Sequence, residues 1–434
     1  MQKQSLANKF PFFYGYIIIF AGTVGVLFSA PGQTIGISVF TDYLIRDLGI
    51  SRNQLSFTYL IGTLASSIFL TYAGKFYDKY GAKITSVLAG LFLGISLLYL
   101  ANLPQLVSIF SKTNIDITFT TLILLVIGFF FVRFFGQGTL TMSSKNMVMK
   151  WFEKKRGFAS AIMGIAISFG FSYSPKIFDD LINNYGWQGA WLFIALLVGV
   201  FFTVFALLTF RDDPVQFGLI PDGKEIEISK INKTKFRPIK DFNLSEARKT
   251  YNFWIFNLTL ALQGLYVTAL TFNIVDIFTK AGLSRDDAIL IFLPVSIIAV
   301  VFQIGGGYLA DFIRLKHLLR LQLFGMLLSM VGLSFLSEGL PLYLIILGNG
   351  IAGGLFGVLS TVSWPRFYGT KYLGEISGFN MSWIVAGSAI GPYLFTFLFD
   401  INQTYFYSGI VMLIICSTLF FLSFKIKNKN IIEN

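Results

Sequence analysis

The chain has 434 residues, a mean hydropathy of +0.69, 55% apolar residues and only 13% charged ones. Soluble globular proteins carry about 25% charged residues, so this composition excludes a soluble fold. The net charge of +12 would suit nucleic acid, but the basic residues sit in short stretches between apolar runs, which argues for a membrane and against that partner.

A bilayer core of about 30 Å needs about 20 apolar residues per helix. Twelve such segments are predicted, in chain order 14–40, 54–74, 84–103, 119–147, 157–181, 189–210, 252–279, 287–309, 318–337, 341–363, 375–399 and 404–424. They are called spans 1 to 12 below. The fold class expected is therefore all-α and integral to the membrane. Residues 1–13 are short and polar, and the first apolar segment is too long for a signal core, so no cleavable leader is expected. An even number of spans puts both termini on one side. With that side cytoplasmic, 27 of the 34 Lys and Arg residues fall in inside segments and six outside, with Arg133 alone assigned to membrane depth. The bias makes both termini cytoplasmic. The polar stretch 211–251, with its DDP and PDG turns, reads as a cytoplasmic linker between an N-terminal half, 1–210, and a C-terminal half, 252–434.

The halves look like repeats. After span 2 the chain reads Gly74-Lys-Phe-Tyr-Asp78-Lys-Tyr-Gly81-Ala-Lys83; after span 8 it reads Gly307-Tyr-Leu-Ala-Asp311-Phe-Ile-Arg314-Leu-Lys316. Gly, Asp and a basic residue recur at matching offsets. Gly170 and Pro175 of span 5 match Gly387 and Pro392 of span 11 in the same way.

Glycines in such a loop permit a tight turn and close helix approach. Asp78 could accept bonds from a helix N-terminus or a basic residue. The bland alternative is a solvated turn. GKFYDKYGAK resembles the loop signature of the major facilitator superfamily, and GYLADFIRLK resembles its second copy. Within that superfamily, three further stretches are similar to monocarboxylate transporters and the oxalate/formate antiporter group: Tyr14-Gly15-Tyr16, Trp151-Phe-Glu-Lys154-Lys155-Arg156-Gly157, and Arg211-Asp-Asp-Pro214 running on to Gly218 and Pro221-Asp-Gly223. The resemblance implies two six-helix halves working by alternating access, with spans 1, 4, 7 and 10 around a central cavity. It also implies a conformational latch built on Gly74, Asp78, Gly81 and Lys83, with Asp311 and Arg314 as its second copy.

Span 4 carries the most unusual residue. An arginine at membrane depth costs at least about 2.5–3.5 kcal/mol. Arg133, Gln137, Thr141 and Ser144 or Lys145 recur at helical spacing and make one polar stripe. Arg133 followed by Gln137-Gly138 resembles the span 4 arginine motif of proton-coupled facilitators, one residue longer than Arg-x-x-Gln-Gly. Three roles compete for Arg133: binding a substrate carboxylate, pairing with a carboxylate or backbone carbonyls during proton coupling, or tying span 4 to a neighbour. Gln33, Gln137, Gln263, Tyr266 and Asn349 are the other expected substrate contacts, each with a plain interhelical hydrogen bond as its alternative. Asp276 is either a proton site or an interfacial charge. Residues 291–307 and 376–399 contain no Lys or Arg, which disfavours a dicarboxylate clamped between two cations. The glycines at 348, 350, 353, 354 and 357 mark span 10 for close contact with other helices.

One Cys and one His leave no disulfide framework and almost no zinc or triad chemistry. No Walker-type loop is present, so ATP is not the expected energy source. No cofactor and no metal are expected, and no catalytic residue is assigned, because clustered carboxylates, His or Cys at depth are missing. The expected function is secondary active transport of a small organic anion, in the first place a monocarboxylate, with proton symport. The alternative is transport or efflux of a neutral or amphipathic metabolite or drug. The partners expected are a small-molecule substrate, the proton and membrane lipids, around a monomer in the plasma or bacterial inner membrane.

Overall fold

The computed structural model describes residues 12–110, 116–223, 236–427 and 431–433. Lys3, Lys9, Lys112, Lys224, Lys230, Lys233, Lys235 and Lys429, all part of the charge count, lie outside the described residues. The fold is all-α. Ten helices among the described residues are long and apolar enough to cross a bilayer. Two of these, Arg52–Ala101 and Arg156–Thr209, have 50 and 54 residues, more than twice the length a bilayer needs. Each is interrupted by one glycine in the left-handed half of backbone space, Gly81 at φ 83° and Gly186 at φ 70°. Each is therefore two spans, and the described residues form twelve.

Polar residues start the helices where the chain leaves the membrane. Ser51 and Gln54 form a reciprocal cap on span 2, Asp116 accepts from the first N–H groups of span 4, and Thr250 caps span 7. The outward faces carry large apolar side chains such as Phe421, 71% exposed, and Leu293, 69% exposed. The inward faces combine small and polar side chains with large ones such as Trp151, Trp364 and Phe202, all fully buried. Ser86 and Ser143 are fully buried and 2.8 Å apart across spans 3 and 4.

The chain divides into two compact units. The first comprises Met1–Trp151, Ala166–Glu225 and Ser377–Ser382; the second comprises Phe152–Ile165, Ile226–Ile376 and Trp383–Asn434. In the second unit span 10 (Leu340–Tyr368) lies against span 8 (Phe292–Phe312) and span 9 (Leu315–Ser334). The contacts run through the span 10 glycines. Gly350 meets Ile298, Gly354 meets the Ala299 carbonyl, and Gly348 meets Gly325 and Ser329. The same unit holds a two-stranded antiparallel ribbon, Phe236–Pro238 with Ile431–Glu433.

Three local features depart from uniform helices. Span 1 is broken: it runs Gly15–Leu27, makes a 3-10 turn at Ala30–Gly32 around Pro31, and restarts at Thr34–Ser38. Span 4 runs on to Trp151, so Lys150 lies inside the helix as Lys145 does, although the charge count grouped both with the inside segments. Spans 4 and 6 each contain a π-helical stretch, Arg133–Leu140 and Leu197–Phe202.

Candidate functional site

Span 4 is one helix in three phases: α over Ile117–Val132, π over Arg133–Leu140, and α again over Thr141–Trp151. A π turn takes one more residue than an α turn and is frequent at functional sites. That extra residue accounts for the long spacing from Arg133 to Gln137-Gly138. The π stretch meets the break in span 1. A Cβ on Gly32 would sit 2.6 Å from the Val132 carbonyl and 2.7 Å from the Gly136 Cα, so the two backbones touch with nothing between them.

A broken helix leaves carbonyls without intrahelical partners. Arg133 takes one. Its Nη1 donates to the Gly32 carbonyl at 3.0 Å and to the Thr34 hydroxyl at 3.3 Å. Tyr59 of span 2 donates to the same Thr34 hydroxyl at 3.0 Å, and its ring lies 5.2 Å from the guanidinium carbon. Arg133 is fully buried. The carbonyl bond and the ring offset its desolvation.

One turn below, Gln33 donates to Ser29 at 3.0 Å and to Thr141 at 3.2 Å, and Thr141 donates to Ser29 at 3.0 Å. Gln33 and Gln137 are half-buried, and the Gln137 side-chain oxygen has no hydrogen-bond partner. The first unit thus brings Arg133, Gln33, Gln137 and Thr141 together along the contact of spans 1 and 4. Lys145, four residues past Thr141, is half-buried on the same helix.

The candidates of the second unit are buried. Tyr266 is fully buried with its hydroxyl 2.8 Å from Ser329 of span 9, the interhelical alternative. Gln263 and Asn349 are buried, and each has a side-chain oxygen without a hydrogen-bond partner. Asp276 is exposed and accepts from the Tyr405 hydroxyl at 2.6 Å. Gln322 of span 9, which sequence reasoning passed over, is fully buried with neither end of its amide bonded.

The loop signatures have distinct surroundings. In the first copy Gly74 is buried in span 2 and Asp78 half-buried four residues on. Gly81 turns the chain beside the Asp212 carboxylate, and the Lys83 N–H donates to Asp212 at 2.8 Å. In the second copy Asp311 accepts the N–H of Gly157 at 2.8 Å and of Phe158 at 3.1 Å, at the start of span 5. That is a carboxylate on a helix N-terminus, a favourable pairing. Arg366, nine-tenths buried or more, lies 3.8 Å from the same carboxylate and donates to the carbonyls of Ala310 and Ile313. Arg314 is exposed and begins span 9.

A model of the Major Facilitator Superfamily matches residues 22–392. The chain belongs to the major facilitator superfamily. It is a multi-pass membrane transporter and not an enzyme. The uncharacterized MFS-type transporter YhjX of Escherichia coli (strain K12) is 24% identical over 325 residues, 73% of this chain and 70% of that one. Among solved structures, the proton:xylose symporter XylE bound to 6-bromo-6-deoxy-D-glucose superposes with a TM-score of 0.69 at 17% identity, covering 96% and 97% of the two chains. The E. coli fucose:proton symporter FucP superposes with a TM-score of 0.66 at 14% identity, covering 95% and 99%.

In this facilitator the three stretches likened to monocarboxylate and oxalate/formate carriers converge on one cluster. The rings of Tyr14 and Phe217 lie 5.6 Å and 6.3 Å from Trp151, whose indole N–H donates to the Arg211 carbonyl at 3.0 Å. These motifs build the packing at one end of spans 1, 4 and 6. They contain no group of the polar stripe, which is why they carry little about the cargo.

Proposed function

We propose that this facilitator is a secondary transporter of a small organic anion, in the first place a monocarboxylate, moved by alternating access with proton symport. The observation that carries the reading is the polar stripe of span 4, laid along the break in span 1 and containing two cations, Arg133 and Lys145. Broken helices beside a polar stripe are where secondary transporters bind cargo. The two cations of the stripe favour an acid, and the proton symport of XylE and FucP favours the proton as coupling ion.

Arg133, Gln33 and Gln137 in the first unit, and Gln263, Tyr266 and Asn349 in the second, are the proposed substrate contacts. The proposed halves are 1–210 and 252–434 with 211–251 as linker, both termini cytoplasmic, in a monomer of the plasma or bacterial inner membrane surrounded by lipid. Gly74, Asp78, Gly81 and Lys83 with Asp311 and Arg314 are the proposed latch. Asp311 supports it, because its carboxylate holds the first turn of span 5.

A second reading has its own observation. Arg133 is engaged with the Gly32 carbonyl, and the groups left around it are neutral amides and hydroxyls. That set also suits a neutral or amphipathic metabolite. Uptake into proteoliposomes separates the two. Saturable uptake of labelled pyruvate or lactate, accelerated by an inward proton gradient, supports the anion. No uptake of either acid, with saturable uptake of a neutral compound such as xylose, supports the second reading.

A further inference from the structure

We propose that Lys145 is the cation that receives the carboxylate of the transported anion. The inference rests on the cargo being an anion. Of the two cations in the stripe, Arg133 is committed to the protein's own backbone and to Thr34 and Tyr59, and it is fully buried. A ligand carboxylate reaching it would have to take the guanidinium from the break in span 1.

Lys145 is in the opposite situation. It is half-buried, and no hydrogen bond, ion pair or ring contact involves it among the described residues. Lys150, one turn further on, places its ammonium 5.0 Å from the Tyr77 ring centre. Six residues separate Lys145 from the end of the helix at Trp151, about 9 Å at 1.5 Å per residue. A lysine that far inside a membrane helix normally has a partner or a task.

Helix register gives Lys145 its neighbours. Residues four apart share a face, and the Cα–Cβ bond tilts toward the helix N-terminus. Lys145 therefore leans over the turn of Thr141, toward the cluster of Ser29, Gln33 and Thr141. An ammonium provides a point charge and three donors for a carboxylate. The neighbouring amide and hydroxyls provide neutral bonds for a second polar group. The ligand class is a small monoanion bearing a carboxylate and one more oxygen, such as a 2-oxo or 2-hydroxy acid. One cation does not neutralise a dicarboxylate.

The test is uptake of labelled pyruvate and lactate by the full chain in proteoliposomes. Lys145→Gln should raise KM by about tenfold to a hundredfold, the worth of a charge-assisted hydrogen bond. Its detergent-solubilised melting midpoint should stay unchanged, and Lys145→Arg should recover most of the affinity. A second measurement needs no variant: pyruvate should slow the modification of Lys145 in the native protein by an amine-reactive reagent, read by peptide mass spectrometry. Native uptake with a Lys145→Gln KM within about twofold, or no protection by a transported acid, overturns the assignment alone. Failure of the native protein to take up either acid overturns the anion reading, and the assignment with it.

Discussion

At the scale of single residues, Arg133, a proposed ligand contact, also holds a broken helix. Its guanidinium sits on the Gly32 carbonyl and the Thr34 hydroxyl. Arg133→Gln should cost about 1.5–3 kcal/mol of stability, the range for hydrogen bonds to charged groups, and lower the melting midpoint of the purified protein. If Arg133 serves chiefly as a tether, the variant loses uptake of every cargo alike. A loss confined to acids would instead mark it as a substrate contact. Asp47 offers a pH-dependent test outside the spans. Hydrogen bonds from Arg46 at 2.7 Å and from the Trp187 indole at 2.6 Å hold its carboxyl below the usual carboxylate range. The stability it contributes is present above its unfolded pKa of about 3.9 and is lost as pH falls through the lower folded value. Asp47→Asn should therefore melt below the native protein at pH 7, and the gap should close as the pH falls through that lowered folded value. A gap that persists unchanged in acid would show that the carboxylate charge is not the source.

At the scale of helices, the close crossing of spans 1 and 4 sets the geometry of the polar stripe. Gly32→Ala would drive a methyl group onto the Val132 carbonyl and the Gly136 Cα. Overpacking of this kind costs about 1–3 kcal/mol, and here it would also push the Gly32 carbonyl away from Arg133. Uptake should fall at least tenfold while expression in the membrane persists; native-like uptake would mean that the contact is not needed. Gly81→Ala would force φ 83° on a residue with a side chain, beside the Asp212 carboxylate, at a cost of about 1–3 kcal/mol. The twelve spans were legible because apolar length is a strong signal. The break in span 1 was not, although Pro31 within the apolar run was its visible sign. The π stretch was legible only as a misfit, one residue too many between Arg133 and Gln137. Lys145 was placed within span 4 and its stripe yet counted among the cytoplasmic cations, and the helix continues past it to Trp151.

At the scale of the whole molecule, a membrane protein was readable from composition alone: apolar side chains cover the outward faces and also fill the interior. The repeat of the loop signature was equally readable. Sequence favoured Asp78 because its copy matches the signature better. The described contacts show Asp311 on the N–H groups of Gly157 and Phe158, with Arg366 beside it. Nothing in the spacing of residues 156, 311 and 366 announces that meeting, because it depends on packing across long sequence distances. Asp311→Asn keeps the side-chain shape and removes the charge that pairs with the helix dipole. It should leave the fold intact by size-exclusion chromatography and slow counterflow of the cargo by about tenfold. Unaltered counterflow would remove Asp311 from the latch.

The wide turn in span 4 also acts as a phase setter. Each residue of an α-helix advances the side chains by about 100°. Deleting one residue from Arg133–Leu140, Phe135 for instance, would let the stretch close into α turns. Everything from Thr141 to Trp151 would then keep its phase, because the wide turn is what absorbs the extra residue, and Thr141 would stay on Ser29. Closing the wide turn with the residue retained would instead rotate that segment by roughly 100°. What this stretch preserves is the register of the helix below it.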